Sequence, residues 1–258
     1  MWDKTNGKIE LTGHRGTKNT RPENTLVSFR EAIDLKVDVL EYDVHLCRSG
    51  ELVIMHDTLV DRTTDGQGAI SFMTFDEIQR LDAGIKFGEQ YKGLKVPTLA
   101  QTMDMVKGAG YGLDQIVEIK DFRPECVDKV VRMIREYDLV DETVIEAGDA
   151  PTLLYIQDKY PEFKTLAFPS IFMKRHYQSI YDRAWGVSIS FNSPKFKSGE
   201  ASVDEWVQFC LDRDLEIFMF NGDTPEQIDY CLAHHAKNIT SNDPAAILDH
   251  MRKLGIRD

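Results

Sequence analysis

The chain has 258 residues, 42% of them apolar and 29% charged, a composition that supports a sizeable buried core and excludes a disordered or low-complexity protein. Its 31 basic and 43 acidic residues leave a formal charge of −12, which repels nucleic acid and anionic membrane surfaces, so an anionic substrate needs a local cationic pocket. Cys47, Cys126, Cys210 and Cys231 lie far apart without C-x-x-C spacing, which argues against a zinc cluster or disulfide framework and for reduced, packed thiols.

Residues 1–10 contain no apolar signal core, and no later apolar run reaches the roughly 18 residues of a membrane span. A cytoplasmic location without stable membrane insertion is the expectation. In chain order, short β-branched runs alternate with segments of helical periodicity, the rhythm of repeated βα units around a parallel sheet. Strands are predicted at Ile9–Thr12, Val39–Val44, Ile116–Ile119, Thr143–Glu146, Thr165–Phe168, Val187–Ser190, Glu216–Phe220 and Ile239–Ser241. Helices are predicted at Leu26–Leu35, Cys126–Tyr137, Thr152–Lys159, Val203–Arg213, Pro225–Leu232 and Ala245–Lys253. That count predicts a (β/α)8 barrel, with a doubly wound open sheet as the alternative.

Roughly fifty residues separate the second strand from Pro97-Thr98-Leu99, far more than the 2 to 6 of an ordinary βα loop. A small inserted subdomain over roughly 46–96, acting as a lid, is therefore expected within a single catalytic domain. It carries its own strand-like run, Glu51–Met55.

In Leu40-Glu41-Tyr42-Asp43-Val44, period-two alternation puts both carboxylates on one face, about 7 Å apart along the strand. Like charges so placed need a cation between or beside them. Ile116-Val117-Glu118-Ile119-Lys120 repeats the pattern with Glu118 and Lys120. Three carboxylates from neighbouring strands suit Mg²⁺, Ca²⁺ or Mn²⁺ better than Zn²⁺. The alternative is an inert ion network with Arg15 and Lys120. Gly13-His14-Arg15-Gly16 follows the first strand directly and offers an imidazole and a guanidinium at the same rim, a pairing that suits a phosphate diester. His56 on the insertion supplies a second imidazole able to swing over the mouth, while His45 reads as a residue of the rim or one that supports the site from behind. Gly108–Gly112 precedes a strand and reads as a plain turn.

His14-Arg15-Gly16, Pro22-Glu23-Asn24-Thr25, Glu41-x-Asp43-Val44, Gly50-x-x-Val53-x-x-His56-Asp57, Asp61-Arg62-Thr63-Thr64 and Glu118-Ile119-Lys120 together resemble the glycerophosphodiester phosphodiesterase family in order and spacing. The resemblance implies a (β/α)8 barrel with an inserted subdomain that hydrolyses glycerophosphodiesters to glycerol 3-phosphate and an alcohol with a divalent metal. It implies Glu41, Asp43 and Glu118 as metal ligands, His14 and His56 as the catalytic pair, and Arg15 and Lys120 as phosphate-binding cations. Which histidine is acid and which base stays open. The chain departs from the family near its end, with Phe218-Met219-Phe220-Asn221 where the family often shows Trp-Thr-x-Asn, and Asp243 one residue later than expected. The nearest rival is a lysophospholipase-D-like or sphingomyelinase-D-like activity, with Phe168, Phe172, Phe191 and Phe220 lining an acyl groove.

Overall fold

The computed structural model describes residues 9–192 and 202–257. Eight parallel strands form a ring: β1 (Glu10–Gly13), β2 (Val39–Leu46), β4 (Asp114–Ile119), β5 (Thr143–Ala147), β6 (Lys164–Ala167), β7 (Gly186–Ser190), β8 (Glu216–Phe220) and β9 (Asn238–Ser241). β1 pairs with both β9 and β2, which closes the sheet and selects the barrel over the open alternative. A further strand, β3 (Leu52–Ile54), runs antiparallel to the end of β2, with Val44 opposite Ile54.

The helices between these strands are α1 (Leu26–Asp34), α3 (Leu99–Lys107), α4 (Pro124–Glu136), α5 (Ala150–Lys159), α6 (Ile171–His176), α7 (Ser179–Arg183), α8 (Val203–Leu211), α9 (Pro225–Ala233) and α10 (Pro244–Lys253). Sequence periodicity did not predict α3, although Thr98 and Gln101 form a capping box at its start. α1 shows the general rule. Thr25 accepts from the Ser28 N–H at the N-cap, and Phe29, Ala32 and Ile33, at helical spacing, are buried against the barrel.

Strand alternation sorts the core into two parts. Leu40, Val117, Ile145 and Ile217 point outward and join the apolar side of the helices. Val39, Ile116, Val144, Leu166 and Phe218 point inward and fill the barrel as one apolar layer. Burying each such side chain contributes about 1.5 to 3 kcal/mol. Two residues further along, the inward positions turn acidic on β2, β4 and β5, at Glu41, Glu118 and Glu146, and are aromatic beyond β6 and on β8, at Phe168 and Phe220, and that change of character sets the height of the site. At the opposite end, Thr12 Oγ1 donates to Asn238 Oδ1 over 2.8 Å, and Asn238 Nδ2 lies 3.4 Å from Glu10 Oε2. Burial pushes the Glu10 carboxyl up to about 7.

The long connection after β2 has a small core of its own, built from Cys47, Val53, Met55, Val60, Ile70, Ile78, Ala83 and Val96. It contains α2 (Phe75–Arg80), opened by a capping box between Thr74 and Glu77. The four cysteines are free and buried, as their spacing implied. No described helix is long and apolar enough to cross a membrane.

Candidate active site

Beyond β1 the chain turns sharply, with Arg15 and Gly16 in left-handed backbone at φ 51° and 85°. A Cβ on Gly16 would lie 2.2 Å from Ser28 Oγ, so only glycine fits this close approach. The Arg15 N–H donates to Glu41 Oε2 at 2.8 Å, and its carbonyl accepts from Asn24 N at 3.0 Å and Ser28 Oγ at 2.9 Å. Tied to β2 and α1 in this way, the turn holds His14 and Arg15 over the mouth.

Glu41, Asp43 and Glu118 converge there, each offering an oxygen within 4.8 Å of the others, and all three are buried. Asp43 sits at the centre. Lys120 Nζ lies 3.3 Å from its Oδ1 and Arg15 Nε 3.3 Å from its Oδ2, while Asn24 Nδ2 donates to Oδ2 at 2.8 Å. The Lys120 ion pair lacks hydrogen-bond geometry, which leaves Asp43 Oδ1 buried without a donor. Burial alone would raise this carboxyl, but Lys120 and Arg15 hold it well below the usual carboxylate range. The other two move the opposite way. Burial and the Asp43 charge push Glu118 up to about 7 and raise Glu41 well above its ordinary value. A divalent cation would relieve that repulsion and take up the unpartnered Asp43 oxygen, so the donor set fits a hard, oxygen-seeking ion.

The two histidines are held by different chains of polar contacts. Asp223 Oδ2 accepts from Asn242 Nδ2 at 2.7 Å, which turns the Asn242 oxygen toward His14 Nδ1, 2.6 Å away. His14 Nδ1 therefore carries the proton, and Nε2 faces Glu41 Oε2 at 3.9 Å. Asn221 Nδ2 lies 3.1 Å from the same Nδ1, a packing contact and not a hydrogen bond while Nδ1 holds the proton. Burial and the neighbouring Arg15 charge push the His14 imidazole down to about 3, so it is neutral near pH 7. His56 Nδ1 instead pairs with Asp57 Oδ1 at 2.6 Å, and Arg62 Nε donates to Asp57 Oδ2 at 2.6 Å. Arg62 also grips Glu23, whose Oε1 accepts from Arg15 Nη1 at 2.8 Å, so insertion and barrel share one ionic chain.

All seven residues singled out from the sequence thus meet at one mouth. His56, expected on the insertion, lies two residues beyond the end of β3. There Met55 N donates to Asp43 O at 3.0 Å, and His45 Nε2 lies 3.3 Å from the His56 carbonyl. His45, expected at the rim or behind the site, is buried at 4% exposure and takes the second of these places. Phe218, at the position of the family's usual tryptophan, lies in the apolar layer below the site, and Phe220 is the aromatic that faces His14 at 6.3 Å. Phe168 meets Phe220 edge to face at 6.2 Å, whereas Phe191 packs on Tyr230 and Phe172 is exposed beside His176 and Tyr177. Sequence reasoning missed the supports Asn242, Asp223 and Asn221, and it missed Glu146, an inward carboxylate beside Glu118 in the strand register. Glu146 had a readable signal, because its parity on β5 matches that of Glu118 on β4.

A closed barrel with this mouth belongs among the phosphoric diester hydrolases, and comparison with known proteins gives the particular group. Residues 14–246 match the Glycerophosphoryl diester phosphodiesterase family, and the chain belongs to it. The glycerophosphodiester phosphodiesterase of Caldanaerobacter subterraneus subsp. tengcongensis is 28% identical over 252 residues, covering 96% of this chain and 100% of its own. Among solved structures, an Oleispira antarctica phosphodiesterase in complex with the product sn-glycerol-3-phosphate superposes with a TM-score of 0.81 at 23% identity, covering 95% of this chain and 97% of that one. A glycerophosphodiester phosphodiesterase from Agrobacterium tumefaciens gives 0.73 at 24% identity, covering 92% and 98%. At such identities these structures share the fold.

Proposed function

We propose that this mouth hydrolyses glycerophosphodiesters to sn-glycerol 3-phosphate and an alcohol, with a divalent cation held by Glu41, Asp43 and Glu118. The observation that carries this reading is the convergence of three buried carboxylates with two histidines, Arg15 and Lys120. The product bound by the Oleispira antarctica relative supports the choice of substrate class. When bound, the cation, Mg²⁺, Ca²⁺ or Mn²⁺, supplies positive charge that polarises a phosphate oxygen and acidifies a nearby hydroxyl.

His14 acts as base through Nε2, because Nδ1–H is committed to Asn242 and the ring is neutral. The attacking group is the substrate's own neighbouring hydroxyl, which displaces the alcohol and closes a cyclic phosphate. His56 protonates the departing alkoxide at Nε2; burial lowers its imidazole below the ordinary value, and the Asp57 carboxylate on Nδ1 offsets part of that shift in favour of the imidazolium form. Water then opens the ring with the two histidine roles exchanged. Arg15 and Lys120 stabilise charge growing on the phosphate oxygens, by about a few kcal/mol each.

The test is release of sn-glycerol 3-phosphate from glycerophosphocholine, with and without EDTA, for wild type and His14→Ala. The expected result is metal-restored turnover that His14→Ala lowers by about 10²- to 10⁴-fold, and slower turnover of a lysolipid. No release from any glycerophosphodiester with added Mg²⁺, Ca²⁺ or Mn²⁺ would remove the reading.

A further inference from the structure

One inward side chain at the mouth has no part in the chemistry above. Glu146 on β5 sits opposite Glu118 on one side and Leu166 on the other, and it shares its face with Val144 of the apolar layer. It is 5% exposed. Ser188 on β7 hydrogen-bonds its carboxyl, yet Glu146 Oε1 is buried with no hydrogen-bond partner. A buried polar oxygen without a donor is costly unless something bound to the protein supplies one.

The surroundings say what that something is. Phe168 lies two residues beyond Leu166 on the strand direction of β6 and meets Phe220, so the carboxyl and the Ser188 hydroxyl stand below apolar ring edges. Such a corner accepts a short polyol, with methylene groups against the rings and a hydroxyl on the carboxyl. A diester offers two candidates, the alcohol head group and the glycerol. The head group differs from one diester to the next and must project toward solvent. Glycerol is constant and small enough to reach a carboxyl that is nine-tenths buried.

We propose that Glu146 is a specificity-determining residue that accepts a hydrogen bond from the terminal glycerol hydroxyl, the one that takes no part in bond making. This assignment rests on the diesterase reading above. It places the glycerol across the mouth, with its central hydroxyl toward His14 and its terminal hydroxyl toward β5 and β7.

The experiment compares sn-glycero-3-phosphocholine with its 1-deoxy analogue, which lacks that hydroxyl, for wild type, Glu146→Gln and Glu146→Ala. Wild type is expected to prefer the hydroxylated diester in kcat/KM by on the order of 10- to 100-fold, the range for leaving a buried acceptor without its partner. In Glu146→Ala the preference collapses to within about threefold, the hydroxylated diester losing the more. Glu146→Gln keeps the shape and one acceptor oxygen and retains most of the preference. An undiminished preference in Glu146→Ala overturns the assignment. So does an equal loss on both substrates accompanied by weakened Mg²⁺ binding, which would make Glu146 a metal ligand instead. Wild-type inactivity on both diesters would overturn the diesterase reading first, so the two failures are distinguishable.

Discussion

The mouth of the barrel has a charged half and a sparsely charged half. β1, β2 and β4 bring His14, Arg15, Glu41, Asp43, Glu118 and Lys120 together in one ion-paired cluster. The strands from β5 to β9 and the turns after them supply Glu146, Ser188, Phe168, Phe220, Asp223 and Asn242, with two carboxylates among them. In the charged half, position is governed by Coulomb energy: each buried carboxylate is tolerable only beside a cation. In the other half, position is governed by hydrogen bonds, those of the Asp223 carboxylate included, and by ring edges, which orient His14 and shape the cavity. On the reading proposed above, reaction chemistry falls mainly to the charged strands and substrate choice to the others.

The comparison breaks most severely on the charged side. Lys120→Met removes the ion pairs to both Asp43 and Glu118 and leaves those carboxylates facing each other. A fall in kcat/KM of about 10²- to 10³-fold is expected in steady-state assays, with added cation unable to restore it. On the sparsely charged side, Asp223→Asn frees the Asn242 amide, so His14 loses the contact that sets its tautomer. The expected effect there is about tenfold in kcat with KM little changed, read from full Michaelis curves. A loss as large as that of Lys120→Met would erase the distinction between the halves.

The smallest catalytic effect belongs to Glu10, below the apolar layer and remote from the mouth. Its folded value of about 7 lies above the ordinary 4.5, so its contribution to stability is fully present below about pH 4.5 and is lost as pH rises through 7. Glu10→Gln is expected to leave kcat unchanged and to flatten that pH dependence, making the variant the more stable above pH 7 by on the order of 3 kcal/mol. Denaturant titrations from pH 4 to pH 9 would show it.

Legibility in the sequence follows the same division. Glu41 and Asp43 flank an apolar residue on one short strand, so period-two parity alone showed them sharing a face. The charged half lies within residues 14–120, where the motifs are dense. The sparsely charged half is assembled across long separations: Asn242 acts on His14 from 228 positions away and is itself oriented by Asp223, 19 positions away. No local pattern carries such a contact. The eight βα units were legible because short β-branched runs alternate with helical periodicity, whereas closure rests on β1 pairing with β9 and β2, and the seat of His56 on β3 pairing with β2, long-range pairings that local composition does not reveal. Phe218 and Phe220 share one parity, and only their heights relative to the apolar layer distinguish packing from the mouth.

The most direct test of the account is a titration of chelator-stripped protein with Mg²⁺ or Ca²⁺, following heat release and glycerophosphodiester turnover on the same sample. The account predicts one cation per chain, turnover rising in step with its binding, and loss of both in Asp43→Asn. Full turnover in the stripped wild type, or metal binding that survives intact in Asp43→Asn, would contradict it.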